Sequence, residues 1–312
     1  MKTEQETSYI NINGVEHYYE WIKTSSSREK SKPVMVFLHG WGGSGKYWET
    51  TAEELSEEFD CLIYDLRGFG RTSLPKSKSQ GEKSISQTSK NLTSDYELVS
   101  YAEDLKVLLD VLNLDKVYVN AHSTGASIAV LFLNMYPERL EKAILTCSGI
   151  FQYDEKSFSA FHKFSRYVVM FRPKWLMKIP FMGRIFMARF LYKSLPDSIC
   201  NDFLEDFLLA DFDAAYGTVL TAVSKEATEW LPEQFQKLTV PTLLIAGEYD
   251  KIIPAEMGKQ AATALSNLFL SPLVLMVVWN LCIPGLFGLP VLGYWSAMGL
   301  YVVSRILLKK ND

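Results

Sequence analysis

Apolar and polar positions along the first two-thirds of the chain follow two alternating periods, and towards the C-terminus the polar positions lose their charges altogether. Residues 10–12 and 15–22 read as two short strands around Asn13-Gly14, a pair suited to a type I′ turn. Residues 34–38 form a continuous apolar run of strand length, ending in His39-Gly40-Trp41-Gly42-Gly43-Ser44. A helix is expected over 47–59 and another short strand over 61–64, ending Asp65-Leu66-Arg67-Gly68-Phe69-Gly70-Arg71. Residues 74–95, rich in Ser, Lys, Gln and Thr, read as a surface loop. Leu98, Tyr101, Leu105, Leu108, Leu109 and Leu112 then recur at helical spacing. Strands follow at 116–122, 140–146 and 241–246, the first running into an apolar helix that stops at Pro137 and the last into a helix reaching about 267. Strands alternating with helices argue an α/β fold, a mostly parallel sheet covered on both faces.

Residues 151–230 break this alternation. They are aromatic and helical in pattern, and between Glu155 and Asp197 there are nine Lys or Arg and no acid. This block reads as a helical cap inserted into a core made of residues 1–150 and 231–267. Residues 268–312 form a separate hydrophobic tail, read as a helical hairpin.

A formal net charge of −4 gives no reason to expect a nucleic-acid partner. Cys61, Cys147, Cys200 and Cys282 are scattered, with no C-x-x-C pair and no histidine nearby, so neither a metal site nor a cofactor is expected and reduced thiols fit best. The polar, charged start of the chain does not read as a secretory signal, which makes Asn91-Leu92-Thr93 a chance sequon.

The stretch with chemical character is Lys116-Val-Tyr-Val-Asn-Ala-His-Ser-Thr-Gly125. A strand runs to a small residue, a serine sits on a sharp turn, and a helix follows; that context makes Ser123 a candidate nucleophile. Ala121 stands where G-x-S-x-G has its first glycine, and it is small enough to serve. Four landmarks occur in order: His39-Gly40-Trp41-Gly42, Asp65-Leu66-Arg67-Gly68-Phe69-Gly70, His122-Ser123-Thr124-Gly125 and Gly247-Glu248-Tyr249-Asp250. With them, residues 1–267 resemble a capped serine hydrolase of the α/β-hydrolase superfamily. The resemblance implies Ser123 as nucleophile, an oxyanion hole from the backbone N–H groups of Trp41 and Thr124, and Asp250 as the acid that orients a histidine. The other reading of Asp250 is a turn or capping residue before Pro254. His39, His122, Asp65 and Arg67 read as packing and loop-fixing groups, and Cys147 as a small core residue. The implied activity is hydrolysis of an ester or related carbonyl compound, with a small apolar or lipid-like substrate under the cap.

One part of the family pattern is missing. The resemblance calls for a histidine after the acid, whereas the four histidines, His17, His39, His122 and His162, all precede Asp250. That histidine would remove the serine proton and protonate the leaving group. His162, in the cap, is the spare candidate. Two alternatives to a working enzyme therefore stay open: a catalytically weak or inactive membrane-tethered relative, and a truncated hydrolase fused to an unrelated membrane segment near Asn267.

The tail motivates the membrane in both. Residues 260–304, forty-five positions, carry no charge. Residues 268–283 would span about 24 Å and residues 289–308 about 30 Å as helices, separated by a break at Pro284-Gly285. Arg305, Lys309 and Lys310 close the run, so the positive-inside tendency puts both ends of a hairpin, and the hydrolase domain, on the cytoplasmic side. The expected partners are thus membrane lipids, through the tail and through the basic, aromatic cap.

Overall fold

The computed structural model describes residues 3–24, 32–72, 96–150, 154–287 and 289–307. The expected strand pair forms a hairpin, β1 (Thr3–Ile12) and β2 (Val15–Thr24), longer than the apolar pattern alone implied. Asn13 (φ 52°) and Gly14 (φ 86°) both take positive φ, which a type I′ turn requires. β3 (Val34–Leu38), β4 (Asp60–Tyr64), β5 (Val117–His122), β6 (Leu140–Thr146) and β7 (Thr242–Ile245) complete a seven-stranded sheet in the order β1-β2-β4-β3-β5-β6-β7. From β4 through β7 every neighbouring pair is parallel. β3 and β4 are almost wholly buried, as continuous apolar strands covered on both faces must be.

Helix α1 (Glu49–Leu55) follows a 3-10 turn at Gly45–Trp48, so the helix expected over 47–59 is shorter and starts in a tighter coil. α2 (Leu98–Val111) buries Leu98, Tyr101, Leu105, Leu108 and Leu109, the stripe read from spacing. α3 (Thr124–Met135) follows β5 and ends before Pro137, whose ring forbids continuation. The loop expected at 74–95 lies outside the described residues, which resume at Tyr96.

Between β6 and β7 lie five helices: α4 (Glu155–Met170), α5 (Met182–Met187), α6 (Asp197–Leu209), α7 (Phe212–Ala222) and α8 (Lys225–Lys237). They occupy the stretch read as a cap, and the last of them returns the chain to the sheet. Cap and core are joined by Trp41 Nε1 donating to the Ala215 carbonyl at 2.8 Å and by Ser44 Oγ donating to Asp206 at 2.5 Å.

The tail departs from the expected pattern at two points. α9 runs from Ala255 to Phe287, through both Asn267 and Pro284, with a 51° bend between Ser266 and Leu270, and α10 covers Tyr294–Leu307. Pro272 follows that bend, as a proline inside a helix kinks the turn before it, and Pro284 lies within a turn of the helix end, where losing one hydrogen bond costs little. The two helices form a hairpin: the Asn280 side chain accepts from Leu292 N–H at 2.7 Å and donates to the Leu292 carbonyl at 2.9 Å. Among the described residues no single helix is long and apolar enough to cross a membrane. The segments Ala255–Ser266 and Leu270–Leu281 meet that test only together, across a 51° bend.

Candidate active site

Ser123 is the lone residue between β5 and α3, with φ 54° and ψ −120°. A non-glycine residue in that region costs about 1–3 kcal/mol and persists only when its surroundings hold it. Here its N–H donates to the Thr146 carbonyl at 3.0 Å, and its own carbonyl accepts from Ala126 and Ser127 at 2.9 and 3.2 Å. Gly125 permits the turn: a Cβ there would stand 2.5 Å from the His39 carbonyl oxygen and 2.7 Å from that of Leu38. A Cβ on Gly40 would stand 3.1 Å from the Ser123 Cβ, so the loop after β3 passes directly beside the serine. Ala121 is fully buried under this turn, where a larger side chain would have no room.

That loop carries Trp41. Its indole packs on Phe207 at 5.7 Å between centroids and is pinned by the bond to Ala215. The Trp41 N–H has no hydrogen-bond acceptor among the described residues. Thr124 N–H opens α3, where the helix itself supplies no acceptor. Gly40 N–H, in contrast, is taken up by the Tyr47 phenol oxygen.

Tyr47 is a residue that the motif spacing did not single out. Having accepted from Gly40, its hydroxyl also hydrogen-bonds with His122 Nδ1 at 3.2 Å. That contact engages Nδ1, and no hydrogen bond joins the His122 ring to the Ser123 hydroxyl among the described residues. Burial also holds His122 down to about 4, only partly offset by the Asp250 carboxylate, and the ring is neutral at pH 7. Nothing in the sequence pattern marks Tyr47 beyond its place in the first turn after the glycine loop.

Asp250 lies beyond the end of β7, in the turn before α9. Its Oδ1 accepts from the N–H groups of Ile252 and Ile253 at 2.8 and 2.9 Å, the turn-stabilising arrangement. The same carboxylate bears on His122 and on Cys147, whose thiol is pushed up to about 12 first by burial and then by Asp250. Cys147 is half-buried at the end of β6 with φ 50°, beside Asp250, and so belongs to the site's rim more than to the core.

His39 and Asp65 fix loops. Leu66 N–H donates to His39 Nε2 at 2.9 Å, so Nδ1 carries the proton and donates to the Gly40 carbonyl at 2.8 Å. Asp65, fully buried, accepts from Gly45 N–H at 2.8 Å and from Arg71 N–H and Nε at 2.7 and 2.8 Å. Arg67 is bound to Asp104 at 2.6 Å. His162, on α4, gives its Nε2 to the Val223 carbonyl and packs among Phe158 and Phe161, with no contact to Ser123 among its interactions. Among the described residues no group of three His, Cys, Asp or Glu is placed to hold a metal ion.

A serine strained at the end of β5, beside a glycine loop after β3 and a carboxylate after β7, is a known constellation. Residues 33–272 match the alpha/beta hydrolase fold family. The chain belongs to that family. It is similar to epoxide hydrolase 4 of Homo sapiens, 26% identical over 274 residues, which cover 81% of this chain and 71% of that protein. Among solved structures it resembles a bromoperoxidase from Bacillus anthracis, with TM-score 0.63 and 23% identity over 85% of this chain and 89% of that one. It also resembles a membrane phospholipase A described as a bacterial virulence factor, with TM-score 0.60 and 18% identity over 84% of this chain and 76% of that one. Likeness at these identities establishes the fold.

Proposed function

We propose that this α/β-hydrolase cleaves an ester or related carbonyl substrate through Ser123, slowly, because it lacks the late histidine. The observation that carries the reading is the strained Ser123 backbone beside the loop bearing Trp41. Ser123 Oγ attacks the carbonyl carbon, and the Trp41 and Thr124 N–H groups receive the oxyanion. The alcohol leaves, and water then releases the acid from the acyl-enzyme. The Oγ proton goes to solvent hydroxide, since burial makes His122 a weak base and His162 is engaged elsewhere. The loss of the base is expected to cost several powers of ten in kcat, while the oxyanion donors and binding keep some catalysis.

Asp250 then serves to position its turn and the rim around Cys147 and His122, without orienting an imidazole. The aromatic cap favours a small apolar or lipid-like ester. A fluorophosphonate probe tests the reading: labelling of the folded protein that vanishes in Ser123→Ala supports it, and no labelling at any pH overturns it. The second outcome favours the catalytically inactive relative, a reading supported by the Asp250 bonds to its own turn.

The hairpin α9–α10 is the proposed membrane attachment of a cytoplasmic domain. Its exposed Leu281 and Trp295, 78% and 80% accessible, support this, as does the charge-free run of residues 260–304. Release of the whole protein by carbonate extraction would rule it out. The family match ends at residue 272, close to where charge disappears, so the fusion of a hydrolase to a membrane segment remains a reading of the chain's organisation.

A further inference from the structure

The cap carries a surface that the catalytic reading does not use. Phe164, Tyr167, Phe171, Trp175, Phe181 and Ile185 are 55–72% exposed, on α4, α5 and the coil between them. Soluble surfaces rarely gather so many large apolar side chains in one short stretch. Lys163, Arg166, Lys174, Lys178, Arg189 and Lys193 are interleaved with them, and none makes an ion pair among the described residues. Arg184 is neutralised by Asp197 at 2.8 Å, and Arg172 is spent on the carbonyls of Val169, Phe207 and Ala210. The stretch between Glu155 and Asp197 is wholly basic in a chain whose net charge is −4, so the cations are concentrated here against an acidic remainder.

We infer that this face of the cap docks on an anionic lipid bilayer, the aromatic and aliphatic side chains entering the interface and the six free cations meeting lipid phosphates. Charge complementarity sets the sign of the partner, and the apolar side chains set its kind: a soluble polyanion would satisfy the lysines and leave Phe171 and Ile185 in water.

The cap sits over the loop after β3, at the C-terminal ends of the strands, where Gly42 and Trp41 meet Phe207. α9 starts beside Asp250 at that same end and runs back, so that Ala262, Leu265 and Ser266 share a cleft of about 510 Å3 with residues 238–242 at the start of β7. Past Ser266 the helix bends by 51° ahead of its apolar part. Docking by the cap uses residues other than those of the hairpin, and it brings the mouth of the Ser123 site to a lipid surface. It deepens the lipid-like substrate proposed above but depends on neither the hairpin's insertion nor the serine's reactivity.

Flotation of the full-length protein with phosphatidylcholine vesicles, and with vesicles containing one-quarter phosphatidylglycerol, separates the two contacts. Binding to neutral vesicles reports the hairpin; the extra binding to anionic vesicles reports the cap. The expected result is an anionic increment of at least tenfold, lost at high salt. Lys174→Glu with Lys178→Glu should remove it, at roughly fivefold or more per residue, while the same reversal at Lys225 and Lys237, on α8, should leave it intact. Phe171→Ser with Ile185→Ser should weaken binding without changing the salt dependence. Equal binding to both vesicle types, or an increment untouched by the cap charge reversals, overturns the proposal, and fluorophosphonate labelling of each variant shows separately whether the Ser123 site is unchanged.

Discussion

Ser123 holds a backbone conformation that alanine tolerates no better than serine and that glycine tolerates freely. Ser123→Gly is therefore expected to be more stable than Ser123→Ala by about 1–2 kcal/mol in urea denaturation, although both abolish labelling. Equal stabilities would mean that the turn stores no strain. Gly125→Ala should act in the opposite sense. Its Cβ would meet two backbone carbonyls that cannot swing aside, a loss of about 1–3 kcal/mol by thermal or chemical denaturation. At this scale much was legible in the sequence, because a serine between a strand and a helix, followed by glycine, has few ways to turn. The engagement of His122 by Tyr47 was not, since it depends on a side chain seventy-five positions away reaching across two loops.

At the scale of elements, the cap is held to the core through α6. Asp206 receives the Ser44 hydroxyl and lies 3.8 Å from Lys46, yet burial outweighs both and pushes its carboxyl up to about 6. Because that value lies above 3.8, the folded protein binds this proton more tightly than the unfolded chain. Its contribution to stability is full at low pH and declines as pH rises through the window from 3.8 to about 6. Asp206→Asn should remove that slope from denaturation midpoints measured across the window; an unchanged slope would mean that another group carries it. Helix and strand periods placed the core elements correctly, since Val34–Leu38 and the α2 stripe obey rules of burial that act locally. The tail was harder to read. Apolar composition alone does not tell a helix continuing out of the domain from one that begins anew, and α9 continues through a 51° bend.

For the molecule as a whole, the sheet ends at β7 with Leu243 and Ile245 56% and 44% exposed, and no strand pairs with its outer edge among the described residues. An uncharged open edge is a template for pairing with other chains. Ile245→Lys is expected to reduce self-association in light scattering while leaving Ser123 labelling intact; unchanged association would assign it to the hairpin instead. The most direct measurement is the rate of fluorophosphonate labelling at Ser123 across pH 5–10, read by mass spectrometry. Without an imidazole base the rate should climb steadily with pH, with no inflection in the histidine range near 6.5. A sigmoidal rise levelling off near neutrality, or a folded protein that never labels at Ser123, would contradict the account.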